Sequence, residues 1–257
     1  MRPNRLLALL ADNRQVQGPR GLRVQAAGAE ATVYVYDMIV DSALEAEWLG
    51  GVAPETFARE LAGITAGTIH LRINSPGGSV FAARAMQAAL REHPATVVAH
   101  IDGYAASAAS VLMLAGDRVI ASDGAMVMIH KAWTLGWGNE DDLRATADLL
   151  GKVDSTLVDS YAAKTGRDKD EIAAWMADET WFTAAEALAA GLVDEVAADS
   201  AAAENRIAWN LKALGRPVAP AARAAPPAAR AAGPAPAETA ALLRQRDYFN
   251  RVLPGCK

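Results

Sequence analysis

Four short segments of the chain contain residue types suited to acyl transfer. The first, residues 74–78 (NSPGG), places two glycines after a proline, between a predicted strand and a predicted helix. Glycine permits a sharp turn, and backbone N–H groups at a helix N-terminus bind anions, including the oxyanion of a tetrahedral intermediate. An ordinary strand-to-helix turn has the same pattern, so this segment alone does not decide the chemistry.

The second segment, residues 103–110 (GYAASAAS), contains Ser107 between Ala106 and Ala108 at the start of a predicted helix. No bulky neighbour crowds its hydroxyl, and the helix N-terminus would direct N–H groups at whatever it attacks. A serine at a helix start is more commonly an N-cap. Ser110, one turn later, is expected to pack within the helix.

The third segment, residues 126–131 (MVMIHK), ends an apolar strand with His130. This histidine could be a general base held by a rigid element, or a core residue bonded to the backbone. The other histidines are weaker candidates, because His70 and His100 lie inside predicted strands and His93 precedes a proline.

The fourth segment contains Asp178 and Glu179 just before the aromatic pair Trp181 and Phe182. Adjacent acids at a helix end are normally solvated. An acid that precedes a buried Trp-Phe pair is expected to point inward, where it could orient an imidazole. In extended chain the two acids would point to opposite sides, so only one of them could face His130.

The elements that must position these residues alternate along the chain. Predicted strands are residues 32–39, 68–73, 96–101, 118–121 and 126–129, and predicted helices are residues 54–64, 79–92, 107–115, 139–165, 168–176 and 184–190. Repeated alternation of strands and helices indicates an α/β domain with a largely parallel sheet.

Composition narrows the classes of function. The chain has 257 residues, is 52% hydrophobic and carries a net charge of −5, which excludes global disorder and disfavours nucleic-acid binding by overall charge. Its single cysteine, Cys256, cannot form an internal disulfide or a cysteine-rich zinc site, and we expect no metal or cofactor. No apolar run approaches the length of about 18 residues that a membrane span needs. Asp12 ends the apolar residues 6–11, so we expect no secretory signal and a cytoplasmic location.

Three parts are predicted along the chain: an N-terminal segment (1–28), a globular domain (29–200) and a basic tail (201–257). The tail has nine Lys/Arg and three acids, a charge of +6, so the rest carries −11. Residues 217–236 hold six of the twelve prolines and are predicted to be a disordered, semi-extended linker. We expect the tail to be dispensable for folding. We also expect it to dock on an acidic assembly partner or to be removed by the enzyme itself.

The order and spacing of the four segments resemble ClpP, the proteolytic subunit of the Clp protease, and more specifically its phage relatives, the head maturation (prohead) proteases. The resemblance covers roughly residues 30–197. It implies the ClpP/crotonase fold of repeated ββα units. Ser107 matches the family nucleophile, His130 the base, and Gly77 and the Ala108 N–H the oxyanion donors. The family acid, usually aspartate, falls at Glu179 here, with Asp178 as the alternative.

The resemblance further implies a homo-oligomeric ring. The helix from Asn139 corresponds to the family's handle, and Leu143, Ala147 and Leu150 could face a partner. The expected function is a serine endopeptidase that cleaves capsid or scaffold proteins during phage head maturation, in the host cytoplasm or the viral prohead. Three alternatives stay open: a housekeeping ClpP-like subunit working with an ATPase, a crotonase-fold acyl-CoA enzyme, and a catalytically inactive assembly module.

Overall fold

The computed structural model describes residues 21–197, and the predictions for residues 1–20 and for the basic tail lie outside this range. The strands are β1 (Gly21–Ala27), β2 (Glu30–Tyr36), β3 (Thr68–Ser75), β4 (Thr96–Ala106), β5 (Arg118–Ser122), β6 (Met126–Ile129), β7 (Thr180–Thr183) and β8 (Glu195–Ala197). The helices are α1 (Ala43–Leu49), α2 (Pro54–Ala62), α3 (Val80–Glu92), α4 (Ala108–Met113), α5 (Glu140–Thr165), α6 (Lys169–Ala177) and α7 (Ala184–Ala190).

The strands form one mixed sheet with the order β1-β2-β3-β4-β5-β8. Strand β1 is antiparallel to β2, and the other neighbours in this order are parallel. Strand β4 changes partner along its length: residues 98–101 pair with β5, and residues 104–106 pair with β6. Strand β6 then pairs antiparallel with β7. The predicted α/β class, with a largely parallel sheet, is confirmed.

Apolar side chains alternate along the central strands, as a sheet with one buried face requires. In β3, Ile69, Leu71 and Ile73 are fully buried, and His70 and Arg72 between them are only partly buried. Helices α3 and α4 contribute mainly small and aliphatic side chains to the same core, and every residue of α4 is buried. A core of this kind is what the low aromatic content, 6%, predicts.

Helix α5 is 26 residues long, begins at a capping box around Asn139 and ends at the left-handed Gly166. Its buried residues all lie in its second half: Val153, Leu157 and Tyr161. Among the residues predicted to face a partner, Leu143 is 47% exposed, Ala147 is exposed and Leu150 is half-buried. No helix within residues 21–197 is long and apolar enough to cross a membrane.

The structure extends the predicted elements at several points. Strand β1 belongs to the sheet although it lies before residue 29, and α1, β7 and β8 are also additional to the prediction. Strand β4 continues through Ala106, whereas the predicted strand ends at residue 101. Gly103 and the alanines after it have weak strand propensity, and pairing with β6 overrides that propensity.

Candidate active site

Strand order brings three of the four segments to one edge of the sheet. Strands β4 and β6 are parallel, so their carboxyl ends meet, and Ser107 and His130 are the residues that directly follow them. Strand β7 is antiparallel to β6 and therefore begins at the same edge, where Glu179 directly precedes it. The topology thus places the predicted nucleophile, base and acid next to one another.

Ser107 lies in a strained turn between β4 and α4. Its φ of 53° and ψ of −126° are in a region that residues with a Cβ rarely adopt. Such a conformation costs about 1–3 kcal/mol and persists only where the surroundings hold it. Here the Ser107 N–H donates to the Met128 carbonyl at 2.9 Å, and the Ser107 carbonyl accepts from the Ser110 N–H at 2.9 Å. The turn projects the hydroxyl from the end of a buried strand.

His130 lies between the serine and the glutamate. Its Nε2 is 2.7 Å from Ser107 Oγ, and its Nδ1 is 3.7 Å from Glu179 Oε2. The first distance is that of a hydrogen bond, and the second is slightly longer than a hydrogen bond. If Nε2 accepts the hydrogen bond from the Ser107 hydroxyl, the single imidazole proton is on Nδ1, where it faces the carboxylate. The His130 side chain is only 9% exposed and that of Glu179 is 23% exposed, so both are partly withdrawn from water.

Glu179, not Asp178, is the acid that faces His130. Glu179 has a φ of 51°, and within residues 21–197 it and Ser107 are the only non-glycine residues with positive φ. Asp178 is exposed and has helical dihedrals, because it caps the C-terminus of α6. The expectation of extended chain at this pair is therefore wrong: a left-handed turn, not strand alternation, separates the two carboxylates.

The backbone after His130 is fixed by two helices. The Lys131 N–H donates to the Met176 carbonyl of α6 at 3.0 Å. The Ala132 N–H donates to the Asp154 carboxylate of α5 at 2.7 Å. These bonds fix the two residues that directly follow His130, the predicted base.

Gly77 packs directly against the Ser107 turn. A Cβ at this position would lie 2.5 Å from the Ala106 carbonyl oxygen and 2.7 Å from the Ala108 nitrogen, so only glycine fits. The structure therefore brings both predicted oxyanion donors, Gly77 and Ala108, beside Ser107, the predicted nucleophile. In this structure the Gly77 N–H donates to Ser75 Oγ at 3.2 Å.

The second glycine of the pair is a candidate donor that sequence reasoning missed. The Gly77 carbonyl accepts from the Ile39 N–H at 2.8 Å, and the described residues contain no cis peptide bond. In a trans peptide the N–H points opposite to the carbonyl, so the Gly78 N–H is turned away from Ile39. The Gly-Gly pair was the only signal for this donor in the sequence. It did not indicate in which direction each of the two N–H groups points.

A family model described as Clp protease matches residues 62–200, a little more than half of the chain. The chain belongs to the Clp protease family. The matched range contains Gly77, Ser107, His130 and Glu179. Members of the Clp protease family are serine peptidases, and the positions brought together at the sheet edge are of the types that such chemistry needs.

Three Clp protease relatives show the extent of the similarity. The ATP-dependent Clp protease proteolytic subunit 1 of Leifsonia xyli is 31% identical over 159 residues, 58% of this chain and 81% of the relative. The ATP-dependent Clp protease proteolytic subunit of Deinococcus radiodurans is 35% identical over 130 residues, 50% of this chain and 64% of the relative. That of Bacteroides fragilis is 35% identical over 130 residues, 50% of this chain and 63% of the relative. The chain thus spans slightly less than two thirds of the last two relatives.

These matches confirm the Clp protease part of the resemblance, and they do not single out the phage head maturation proteases.

Within residues 21–197 no group of three or more His, Cys, Asp or Glu side chains is arranged to hold a metal ion.

A second polar cluster lies among strands β2, β3 and β4 of this Clp protease chain. Asp102 is fully buried and accepts hydrogen bonds from the Tyr36 hydroxyl and, at 2.9 Å, from Arg72 Nε. Burial and the negative charge of Asp102 raise the pKa of Tyr36 well above its ordinary value. Beside it, His70 Nδ1 and His100 Nε2 are 3.0 Å apart. Burial, with the positive charge of Arg72 as the next cause, lowers the pKa of His100 to about 4.

Proposed function

We propose that the chain is a serine endopeptidase in which Ser107 is the nucleophile, His130 the general base and Glu179 the acid that orients His130. The observation that carries this proposal is the 2.7 Å contact between His130 Nε2 and Ser107 Oγ at a strained strand-to-helix turn. Serine is a weak nucleophile at neutral pH and needs a base within hydrogen-bond reach to take its proton. Membership of the Clp protease family supports the same reaction.

In the first half of the reaction, Ser107 Oγ forms a bond to the carbonyl carbon of the scissile peptide while its proton moves to His130 Nε2. The carbonyl electron pair moves onto oxygen, and we assign its stabilisation to the N–H groups of Ala108 and of the Gly77–Gly78 turn. Removing one donor of this kind typically costs about 3 kcal/mol of transition-state stabilisation. Glu179 stabilises the imidazolium that has formed.

In the second step the carbon–nitrogen bond breaks, and the leaving amine takes the proton from His130 Nε2. The acyl group is then held on Ser107 Oγ. Water attacks this ester with His130 again as the base, which releases the new carboxyl terminus and restores the serine. Every proton in this sequence moves between groups of the chain, the substrate and water.

For the biological role we propose a homo-oligomeric assembly that acts on protein substrates. Two roles fit. The relatives are named as proteolytic subunits of ATP-dependent Clp proteases, which favours work with an ATPase partner. The charge of +6 on residues 201–257, opposite to the −11 of the rest, supports the predicted role in phage head maturation, with capsid or scaffold proteins as substrates. We propose that the protease domain extends from residue 21 instead of 29, because β1 belongs to its sheet, to residue 200, and that residues 201–257 form the tail.

Labelling with a serine-reactive phosphonate tests the proposed chemistry. We expect one adduct per chain, mapped to Ser107 by peptide mass, and none in Ser107→Ala. Ser155→Ala is the matched control, because Ser155 is exposed on α5 and should leave labelling unchanged. Labelling at Ser110, or an unlabelled chain that turns over acyl-CoA, would contradict the assignment. A chain that assembles normally and reacts with neither reagent would be the inactive assembly module.

The two roles are separated by the substrate and by ATP. Degradation of a folded protein only in the presence of a Clp-type ATPase and ATP indicates the housekeeping role. Cleavage of a capsid or scaffold protein without ATP, together with shortening of the chain's own tail, indicates head maturation. Light scattering measures the oligomer, and a fully active monomer at micromolar concentration would contradict the ring.

A further inference from the structure

A buried chain of hydroxyl groups connects helix α5 to the backbone of Ser107. Tyr161 of α5 is 2% exposed, and Ser110 of α4 is fully buried. The Tyr161 hydroxyl oxygen is 2.7 Å from Ser110 Oγ, and Ser110 Oγ is 2.6 Å from the Ser107 carbonyl oxygen. Neither Tyr161 nor Ser110 was a candidate site residue in the sequence.

The direction of these hydrogen bonds follows from proton counting. A serine hydroxyl has one proton, and Ser110 donates it to the Ser107 carbonyl. Tyr161 must then donate to Ser110. Burial raises the pKa of Tyr161 to about 12, so the phenol keeps its proton throughout the neutral range. The order of donation is therefore Tyr161 to Ser110 to Ser107.

The Ser107 carbonyl belongs to the same peptide unit as the Ala108 N–H. This peptide is planar and trans, so fixing the direction of the carbonyl also fixes the direction of the N–H. The carbonyl receives two donors from Ser110, the hydroxyl at 2.6 Å and the N–H at 2.9 Å. Together they set ψ of Ser107 and the orientation of the proposed oxyanion donor.

We propose that Tyr161, acting through Ser110, is a positioning residue that orients the Ser107–Ala108 peptide for catalysis. The proposal rests on the proposed function of Ser107 as nucleophile. An oxyanion donor contributes mainly when negative charge develops, so a looser peptide plane should weaken binding of the transition state more than binding of the substrate. The turnover number should fall, and KM should stay close to that of the wild type.

The test is Tyr161→Phe, which keeps the ring and removes only the hydroxyl. We expect kcat for a peptide substrate to fall about tenfold with KM unchanged, because the hydrogen bond from Tyr161 to Ser110 is lost. The saturating rate of phosphonate labelling at Ser107 should fall in parallel. Tyr104→Phe is the matched control: the Tyr104 hydroxyl is also buried, makes no hydrogen bond within residues 21–197, and should be silent in both assays.

A double-mutant cycle separates positioning from general stability. Ser110→Ala removes the hydroxyl that lies between Tyr161 and the Ser107 carbonyl. Adding Tyr161→Phe to this variant should therefore reduce kcat no further. The same addition should raise the melting temperature of Ser110→Ala, because it removes a buried hydroxyl that had lost its acceptor.

Three results would overturn the proposal: a kcat for Tyr161→Phe within twofold of wild type, additive losses of kcat in the cycle, or a loss of kcat equal to that of Tyr104→Phe. If Tyr161→Phe is too unstable to assay, the double variant Ser110→Ala/Tyr161→Phe decides the question. Its kcat must equal that of Ser110→Ala. Failure of the proposed function gives a different pattern, in which Ser107→Ala itself retains turnover and labelling.

Discussion

Two polar clusters of the described residues, one around Asp102 and one around His130, are constructed differently. Asp102 is fully buried in a regular strand and accepts hydrogen bonds from Arg72 and Tyr36. Glu179 is 23% exposed and is 3.7 Å from the nitrogen of His130 that it faces. In the first cluster the carboxylate is closely bonded by its partners, and in the second the contact between acid and imidazole is looser.

The two clusters also differ in backbone conformation. Arg72 and Asp102 have the extended conformation of β3 and β4, while Ser107 and Glu179 are left-handed. A buried network with close partners makes the native state rigid and specific. A strained site with a longer contact can tighten its hydrogen bonds when charge develops in the transition state. These differences are those expected if the Asp102 cluster stabilises the fold and the His130 cluster carries the reaction proposed above.

The largest effect is expected for Ser107→Ala. Peptidase turnover should fall by several orders of magnitude, since loss of a member of such a triad removes the nucleophilic route. The free energy of unfolding should stay within about 1 kcal/mol of wild type, because Ala can keep the same backbone contacts. Peptide turnover and chemical denaturation of the same preparation measure both quantities. Retained turnover would place the reaction elsewhere and remove the contrast between the clusters.

Glu179→Gln should reduce kcat by at least about a hundredfold, because an amide keeps the size but does not stabilise an imidazolium. Asp178→Asn is the matched control, since the residue is adjacent to Glu179, its side chain is exposed, and it caps α6 through its backbone N–H. We expect it to have turnover close to wild type. A selective collapse in Asp178→Asn would instead assign the acid to that residue.

Asp102→Asn should show the reverse pattern. Removing the charge of a buried partner typically costs about 3 kcal/mol or more, because the desolvated cation loses its compensation. We expect the free energy of unfolding to fall by about that amount, with kcat for a small peptide changed less than threefold at a temperature where the variant is folded. A large loss of kcat in the folded variant would show that this cluster also contributes to the site.

The smallest expected effect is the pH dependence contributed by His100. Its folded pKa, about 4, is below the ordinary value of 6.5, so the folded state keeps it neutral where the unfolded chain takes up a proton. Its contribution to stability is therefore complete above about pH 6.5 and is lost as the pH falls toward 4. In denaturant titrations between these limits, His100→Gln should lose less stability than wild type.

Sequence reasoning singled out Ser107 because it lies between alanines at a helix start, and His130 because it ends an apolar strand. The resemblance to ClpP then implied their roles. Sequence reasoning could not derive the geometry of Glu179, which depends on a left-handed turn before β7, a strand absent from the prediction. The contact between Arg72 and Asp102 could not be predicted from the sequence either. The two residues are 30 positions apart, and their contact requires the register of β3 against β4. Tyr161 and Ser110 are 51 positions apart, and their contact depends on the tertiary structure that brings α5 to α4.

Left-handed backbone at Ser107 and Glu179 also affects how the protein could be made more stable. Glycine adopts such dihedrals without the penalty that a Cβ imposes, so glycine at either position should stabilise the fold relative to alanine by about 1 kcal/mol. A screen that selects only for thermal tolerance would therefore favour glycine at residues 107 and 179. The same variants would lack the nucleophile or the acid. At these two positions, selection for stability and selection for turnover act in opposite directions.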